Sequence, residues 1–139
     1  MEAIYTASAT ATGDGRNGHV RSADGVLDLD LAVPKEMGGP GGHLTNPEEL
    51  FAAGYAACFH SALKAAARLA KIELADTAIT IDVGVVRTED KRFKLQAAIE
   101  AEIPGVDEAK ARELIDAAHQ VCPYSNATRG NIDVKLTIA

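Results

Sequence analysis

Cys58 and Cys122 are the only two thiols in this 139-residue chain, and each falls on the apolar stripe of a predicted helix. Three chemistries compete for such a pair. The cysteines can be small packed apolar side chains, soft metal ligands, or a couple that cycles between dithiol and disulfide. Histidines flank both, in Cys58-Phe59-His60 and His119-Gln120-Val121-Cys122. Residues two apart on a helix diverge by about 200°, so Cys58 and His60 do not share a face, whereas His119 and Cys122 do. That geometry counts against zinc and leaves His60 and His119 as surface or supporting residues, with His19 and His43 expected in turns.

A cysteine attacks the O–O bond of a peroxide as thiolate, and with a pKa of about 8.5 only a few per cent is ionised at neutral pH. A nearby cation corrects this. Lowering the pKa by about two units requires roughly 2.7 kcal/mol of differential electrostatics, within reach of one arginine in a partly buried cleft. Arg16, Arg21, Arg68, Arg87 and Arg129 are candidates, and spacing does not choose among them.

Composition narrows the setting. The chain has the length of one domain. Apolar residues make up 47% but aromatics only 4%, with no Trp, so Ala, Val, Leu and Ile must fill the core. A net charge of −6 and a pI near 5.1 oppose nucleic-acid binding. The N-terminus lacks the basic start and apolar run of a signal peptide, and no stretch reaches membrane-spanning length. The chain reads as cytoplasmic, where a static disulfide is disfavoured and Asn126-Ala127-Thr128 matches a glycosylation acceptor only by chance.

The elements that must position the thiols follow from patterning. β-branched residues recur from Glu2 to Thr12, glycines mark a turn at Gly13–Gly18, and a second run begins at His19. Asp24-Gly25 signals a hairpin, followed by Leu27, Leu29, Leu31 and Val33 in strand alternation. Pro34–Thr45, with four glycines and two prolines, is a loop; it lacks the Gly-Lys-Ser/Thr of a phosphate cradle. Asn46 as N-cap, Pro47 at the first helical position and Glu49 in a capping box start a helix expected to reach about Ala70. Its nine alanines place it centrally. Ile79–Val85 and Phe93–Ile103 alternate as strands with one wet face. Asp107 caps a second helix with Ala111, Leu114, Ile115, Ala118 and Cys122 on one stripe and Pro123 at its end, before a last strand turning Ile132, Val134, Leu136 and Ile138 inward. Segregated strands and helices imply an α+β fold with two main helices on a largely antiparallel sheet.

Two segments are more specific than these patterns: Asn46-Pro47-Glu48-Glu49-Leu50-Phe51-Ala52-Ala53-Gly54-Tyr55-Ala56-Ala57-Cys58-Phe59 and Val121-Cys122-Pro123-Tyr124-Ser125-Asn126-Ala127-Thr128-Arg129-Gly130-Asn131. Both resemble signature segments of the organic hydroperoxide resistance (Ohr) proteins, a branch of the OsmC-like family, and the likeness covers essentially the whole chain. It implies one OsmC-like domain over residues 1–139. It further implies a peroxidatic Cys58, a resolving Cys122, an arginine at Arg16 in the Gly15-Arg16-Asn17-Gly18 turn, and Glu48 as the carboxylate holding that arginine. Without the resemblance, Glu48 would simply complement the helix dipole and Arg16 solvate a turn. Asp14 stands where the pattern leads one to expect glycine before Gly15, an added carboxylate near Arg16.

The implied activity is a thiol peroxidase acting on alkyl or fatty-acyl hydroperoxides. Cys58 becomes a sulfenic acid, Cys122 condenses with it to a disulfide, and a dihydrolipoyl group, free as dihydrolipoamide or carried on a lipoylated protein, restores the dithiol. No bound cofactor, metal, nucleic acid or membrane is implied. Glu48 and Cys58 are ten residues apart, about 15 Å of rise and 80° of rotation on one unbroken helix. If both serve one site, a second subunit supplies the glutamate or the helix bends; with the resemblance, this favours an intertwined homodimer. The non-enzymatic alternative is a peroxide sensor or lipid-binding module on the same fold.

Overall fold

The computed structural model describes all residues, Met1–Ala139, which divide into two compact units, Met1–Leu50 and Phe51–Ala139. The first carries a three-stranded antiparallel sheet, β1 (Ala9–Thr12), β2 (His19–Ser22) and β3 (Asp28–Asp30), in the order β1-β2-β3. Thr12 opposes His19 across the first pair, and His19 opposes Asp30 across the second. The Asp24-Gly25 turn is as expected. Asp24 accepts from Val26 N–H at 3.0 Å and from Ser22 Oγ at 2.6 Å, while Gly25 takes φ +76°.

Both flanking strands are shorter than their alternation suggests. The β1-β2 ladder ends where Ala23 N–H donates to Ser8 O at 2.8 Å, and residues Glu2–Ala7 lie beyond it, with Ile4 and Tyr5 exposed. β3 stops at Asp30. Leu31 instead bridges Thr45, and Val33 N–H donates to Asn17 Oδ1 at 2.8 Å, so side-chain and loop bonds replace the ladder. His19, expected in a turn, opens β2 because its backbone pairs with Asp30; His43 lies in a bend of the glycine-rich loop.

Helix α1 (Pro47–Leu69) begins as predicted, with Asn46 Oδ1 accepting from Glu49 N–H at 2.8 Å. The Glu49 carboxylate, however, binds Thr45 Oγ1 rather than closing the box onto Asn46. In the second unit β4 (Ala78–Arg87) and β5 (Phe93–Glu102) form an antiparallel pair from Ala78↔Glu102 to Arg87↔Phe93. β6 (Val134–Ile138) adds parallel to β5, giving the order β4-β5-β6. The expected single, largely antiparallel sheet is thus two three-stranded sheets, one of them mixed, and the class remains α+β.

Helix α2 (Glu108–Val121) is capped by Asp107, whose carboxylate accepts from Lys110 N–H at 2.9 Å. Pro123 does not simply end it. Cys122 takes an extended conformation, φ −67° and ψ 124°, as a residue before proline prefers, and Pro123 opens a third, short helix α3 (Pro123–Thr128). The core of this unit joins Tyr55, Phe59 and Leu63 of α1 to Ile99 and Ala101 of β5 and Leu114, Ile115 and Ala118 of α2. Many of its members are alanines, and small side chains let helix backbones approach the sheet closely.

Candidate active site

α1 delivers Cys58 and the α2–α3 corner delivers Cys122. Their Sγ atoms lie 3.6 Å apart, in hydrogen-bond contact. Both are free thiols, Cys58 half-buried and Cys122 fully buried. A disulfide has an S–S length of about 2.05 Å, so closure brings the two sulfurs about 1.5 Å nearer.

Aromatic residues concentrate here. Of the three Phe and three Tyr in the chain, Phe51, Tyr55, Phe59 and Tyr124 pack together, with ring centroids 5.6–6.4 Å apart in edge or tilted contacts. Gly54, one turn before Cys58, makes room for this. A Cβ at that position would lie 2.6 Å from Tyr124 Oη and 3.2 Å from Cζ.

Burial pushes the Cys58 thiol above its ordinary pKa, because desolvation disfavours the thiolate; the Tyr124 backbone N–H pulls the other way, and neighbouring Cys122 raises it further. The depressed pKa expected of an activated thiolate is therefore not what the reduced chain displays.

Arg16 sits in a single 3-10 turn, Gly15–Asn17. The turn is tight enough that a Cβ on Gly18 would lie 2.3 Å from Thr12 O. Arg16 Nη1 donates to both carboxylate oxygens of Glu48, at 2.7 and 2.9 Å. This is the pairing implied by the sequence resemblance. The other four candidates lie elsewhere: Arg21 is 3.9 Å from Asp28, Arg68 is exposed in the last turn of α1, Arg87 stacks over the Phe93 ring, and Arg129 donates to His119 O at 2.6 Å.

Neither flanking histidine turns to a sulfur. His60 Nε2 bonds Thr77 Oγ1 at 2.7 Å and His119 Nδ1 bonds Ser125 Oγ at 2.8 Å. No three His, Cys, Asp or Glu side chains converge as metal ligands, and no helix is long and apolar enough to cross a membrane.

Sequence reasoning missed a buried polar chain beside the thiols, in which Ser125 Oγ also bonds Tyr55 OH at 2.7 Å and Tyr55 OH bonds Thr128 Oγ1 at 3.1 Å. Its only trace is spacing: Tyr55 stands three residues before Cys58, and His119 and Ser125 three residues either side of Cys122.

A family model described as OsmC-like protein matches residues 39–137. An organic hydroperoxide resistance protein of Xanthomonas axonopodis pv. citri is 53% identical over 137 residues, covering 98% of this chain and 95% of that one. The chain belongs to the OsmC-like family, among its organic hydroperoxide resistance proteins. In structure it is similar to the Legionella pneumophila organic hydroperoxide resistance protein OsmC, with a TM-score of 0.93, 54% identity and 99% of each chain covered. It is also similar to OhrB of Bacillus subtilis, with a TM-score of 0.89, 47% identity, and 99% of this chain and 100% of that one covered. The two signature segments are therefore those of an Ohr protein, and the α+β arrangement is shared with solved members.

Proposed function

We propose that this Ohr-family chain is a thiol peroxidase that reduces organic hydroperoxides to alcohols, with Cys58 as the peroxidatic and Cys122 as the resolving cysteine. The observation that carries this reading is the 3.6 Å approach of two free sulfurs from residues 64 positions apart. The relatives' name, organic hydroperoxide resistance protein, supplies the substrate class.

In the first step the Cys58 thiolate attacks the terminal oxygen of the hydroperoxide. The O–O bond breaks, the alkoxide takes up a proton and leaves as the alcohol, and the sulfur, two electrons poorer, carries the hydroxyl as a sulfenic acid. In the second step the Cys122 sulfur attacks Cys58. The S–O bond breaks, and the hydroxyl leaves with the Cys122 proton as water. A dihydrolipoyl dithiol, free or on a lipoylated protein, then reduces the disulfide by exchange.

Phe51 and Tyr124, which pack over the fully buried Tyr55 and Phe59, present an apolar surface suited to hydrocarbon-bearing peroxides, since burying a chain stabilises by about 0.8 kcal/mol per methylene. Fatty-acyl and alkyl hydroperoxides fit it better than hydrogen peroxide.

Arg16 supplies the cation that offsets the burial of the Cys58 thiolate. Glu48 engages only Nη1 of the guanidinium, so donors on Nε and Nη2 stay available for a thiolate or a peroxide oxygen. The ten-residue spacing of Glu48 and Cys58 favours an arrangement in which a second copy contributes the Arg16–Glu48 pair, in an intertwined homodimer. We place the protein in the cytoplasm, where lipoylated enzymes would serve as its donor.

The test is removal of cumene hydroperoxide with dihydrolipoamide as reductant, comparing wild type with Cys58→Ser and Cys122→Ser. Cys58→Ser abolishes turnover, and Cys122→Ser oxidises without forming an intramolecular disulfide. Full activity of Cys58→Ser would end the peroxidase reading, and sedimentation of an active monomer would end the shared-site reading.

A further inference from the structure

The hydrogen-bonded chain His119–Ser125–Tyr55, fully buried at Ser125 and Tyr55 and half-buried at His119, joins the segments that carry the two sulfurs. Tyr55 is one turn before Cys58 on α1, Ser125 one turn after Cys122 on α3, and His119 one turn before Cys122 on α2. The Tyr55 OH to Ser125 Oγ bond of 2.7 Å therefore links the same two segments as the 3.6 Å sulfur contact. The His119 Nδ1 to Ser125 Oγ bond of 2.8 Å closes the corner on which Cys122 sits.

Further bonds secure that corner from outside. Arg129 donates to His119 O at 2.6 Å, Thr128 Oγ1 lies 3.1 Å from Tyr55 OH, and Asn126 N–H donates to Cys122 O at 2.9 Å. No buried side-chain polar atom is left without a partner. A buried network so completely satisfied rigidifies its surroundings.

A serine bonded to a histidine also suggests a nucleophile with its base. Ser125 is 0% exposed, as is Tyr55, so no substrate reaches either hydroxyl and the pair cannot act as one.

We infer that Tyr55, Ser125 and His119 are positioning residues that clamp the Cys122 corner onto α1, holding the resolving sulfur within closing distance of Cys58. The inference deepens the peroxidase reading and rests on its second step, in which Cys122 displaces the hydroxyl of a Cys58 sulfenic acid as water. The clamp acts on this closure and on the stability of the disulfide. It leaves the first step, attack on the hydroperoxide, to Cys58 and the groups that stabilise its thiolate.

Two measurements on the full-length chain test this. In rapid-quench mixing with one equivalent of cumene hydroperoxide, followed by dimedone and N-ethylmaleimide trapping and mass analysis, Tyr55→Phe loses the Cys58 thiol within about twofold of the wild-type rate. Its disulfide forms about tenfold more slowly, so the dimedone adduct accumulates. His119→Leu behaves likewise. His119→Asn, whose amide can occupy the Nδ1 position, recovers closure to within about threefold.

The second measurement needs no peroxide. Equilibration of the Cys58/Cys122 couple with reduced and oxidised dithiothreitol gives a disulfide constant about tenfold lower in Tyr55→Phe, a shift of about 30 mV toward a more oxidising potential. A wild type inert to the hydroperoxide that still shows this shift sinks the peroxidase reading and sustains the clamp. Closure rates and dithiol equilibria of Tyr55→Phe and His119→Leu that match or exceed wild type overturn the clamp, even where the melting temperature falls.

Discussion

Arg16 and Glu48 form an asymmetric ion pair: one guanidinium nitrogen bridges both carboxylate oxygens, and the carboxylate is 12% exposed against 44% for the arginine. An ion pair with so open a partner is worth about 0.5 kcal/mol or less to the fold. In the proposed peroxidase its value lies in aiming the remaining guanidinium donors. Glu48→Gln is therefore expected to leave the melting temperature nearly unchanged while lowering kcat/KM for an alkyl hydroperoxide about 100-fold, or roughly 2.7 kcal/mol of transition-state stabilisation. Arg16→Lys recovers little, because an ammonium lacks the planar array of donors. Matched losses of stability and activity would show the pair to be structural only.

Cys122 is expected to raise the barrier to ionising its neighbour. After desolvation, the effects that hold the Cys58 pKa up come from Cys122, and the Tyr124 N–H opposes them. Cys122→Ala then lowers the Cys58 pKa, read as thiolate absorbance near 240 nm against pH. A raised folded-state pKa adds stability that is complete below the unfolded value, about 8.5, and is lost as pH climbs through the folded one. The reduced wild type therefore loses more stability than Cys122→Ala on going from neutral to alkaline pH. An unchanged or higher Cys58 pKa in the variant contradicts this.

The parts legible in the sequence were those governed by local rules. Asn46 and Asp107 cap their helices because a short side-chain oxygen reaches the N3 amide from the N-cap position, whatever surrounds it. Alternation alone marks two strands, Ile79–Val85 and Phe93–Ile103, which the structure extends or trims to Ala78–Arg87 and Phe93–Glu102. Long-range partners left no such mark. The parallel seating of β6 on β5 depends on how the chain returns after α3, and Pro123 reads equally as a stop for α2 or a start for α3. Of the site, the nearness of Cys58 to Cys122 and of Arg16 to Glu48 came through the resemblance, since nothing in a pair of distant residues announces contact. The Tyr55–Ser125–His119 chain stayed hidden because a buried serine looks like any other until its neighbours are known.

Gly54 tests the packing over the thiols. Alanine in its place gains about 1 kcal/mol of helix propensity but forces the Tyr124 ring aside, since its hydroxyl and Cζ occupy the space a methyl needs. The two effects nearly cancel in stability. They do not cancel in the site, because moving Tyr124 disturbs the backbone N–H that favours the Cys58 thiolate. Gly54→Ala is expected to melt within a few degrees of wild type yet react with iodoacetamide at Cys58 several-fold more slowly at pH 7. Unaltered alkylation would mean that the Tyr124 backbone does not follow its ring.

His119 makes the clamp sensitive to acid. Burial first, and then the Arg129 guanidinium, depress its pKa below the ordinary 6.5, with Asp116 opposing. The unfolded chain therefore binds the extra proton at higher pH than the folded one, so stability falls as pH drops through about 6.5 toward the folded value and levels off below it. His19 works in the opposite sense. Its hydrogen bonds to Asp30 and Asp28 raise its pKa, so its contribution is complete below the unfolded value and is lost as pH rises through the folded one. The contributions separate by mutation. Between pH 7.5 and 5 the melting temperature of His119→Asn is expected to fall less than that of wild type, and that of His19→Asn to fall more, with Arg129→Gln showing a reduced acid loss because one cause of the depression is gone. Parallel melting curves for wild type and His119→Asn across this range would mean that His119 binds protons alike in both states and carries no pH dependence into the corner that holds Cys122.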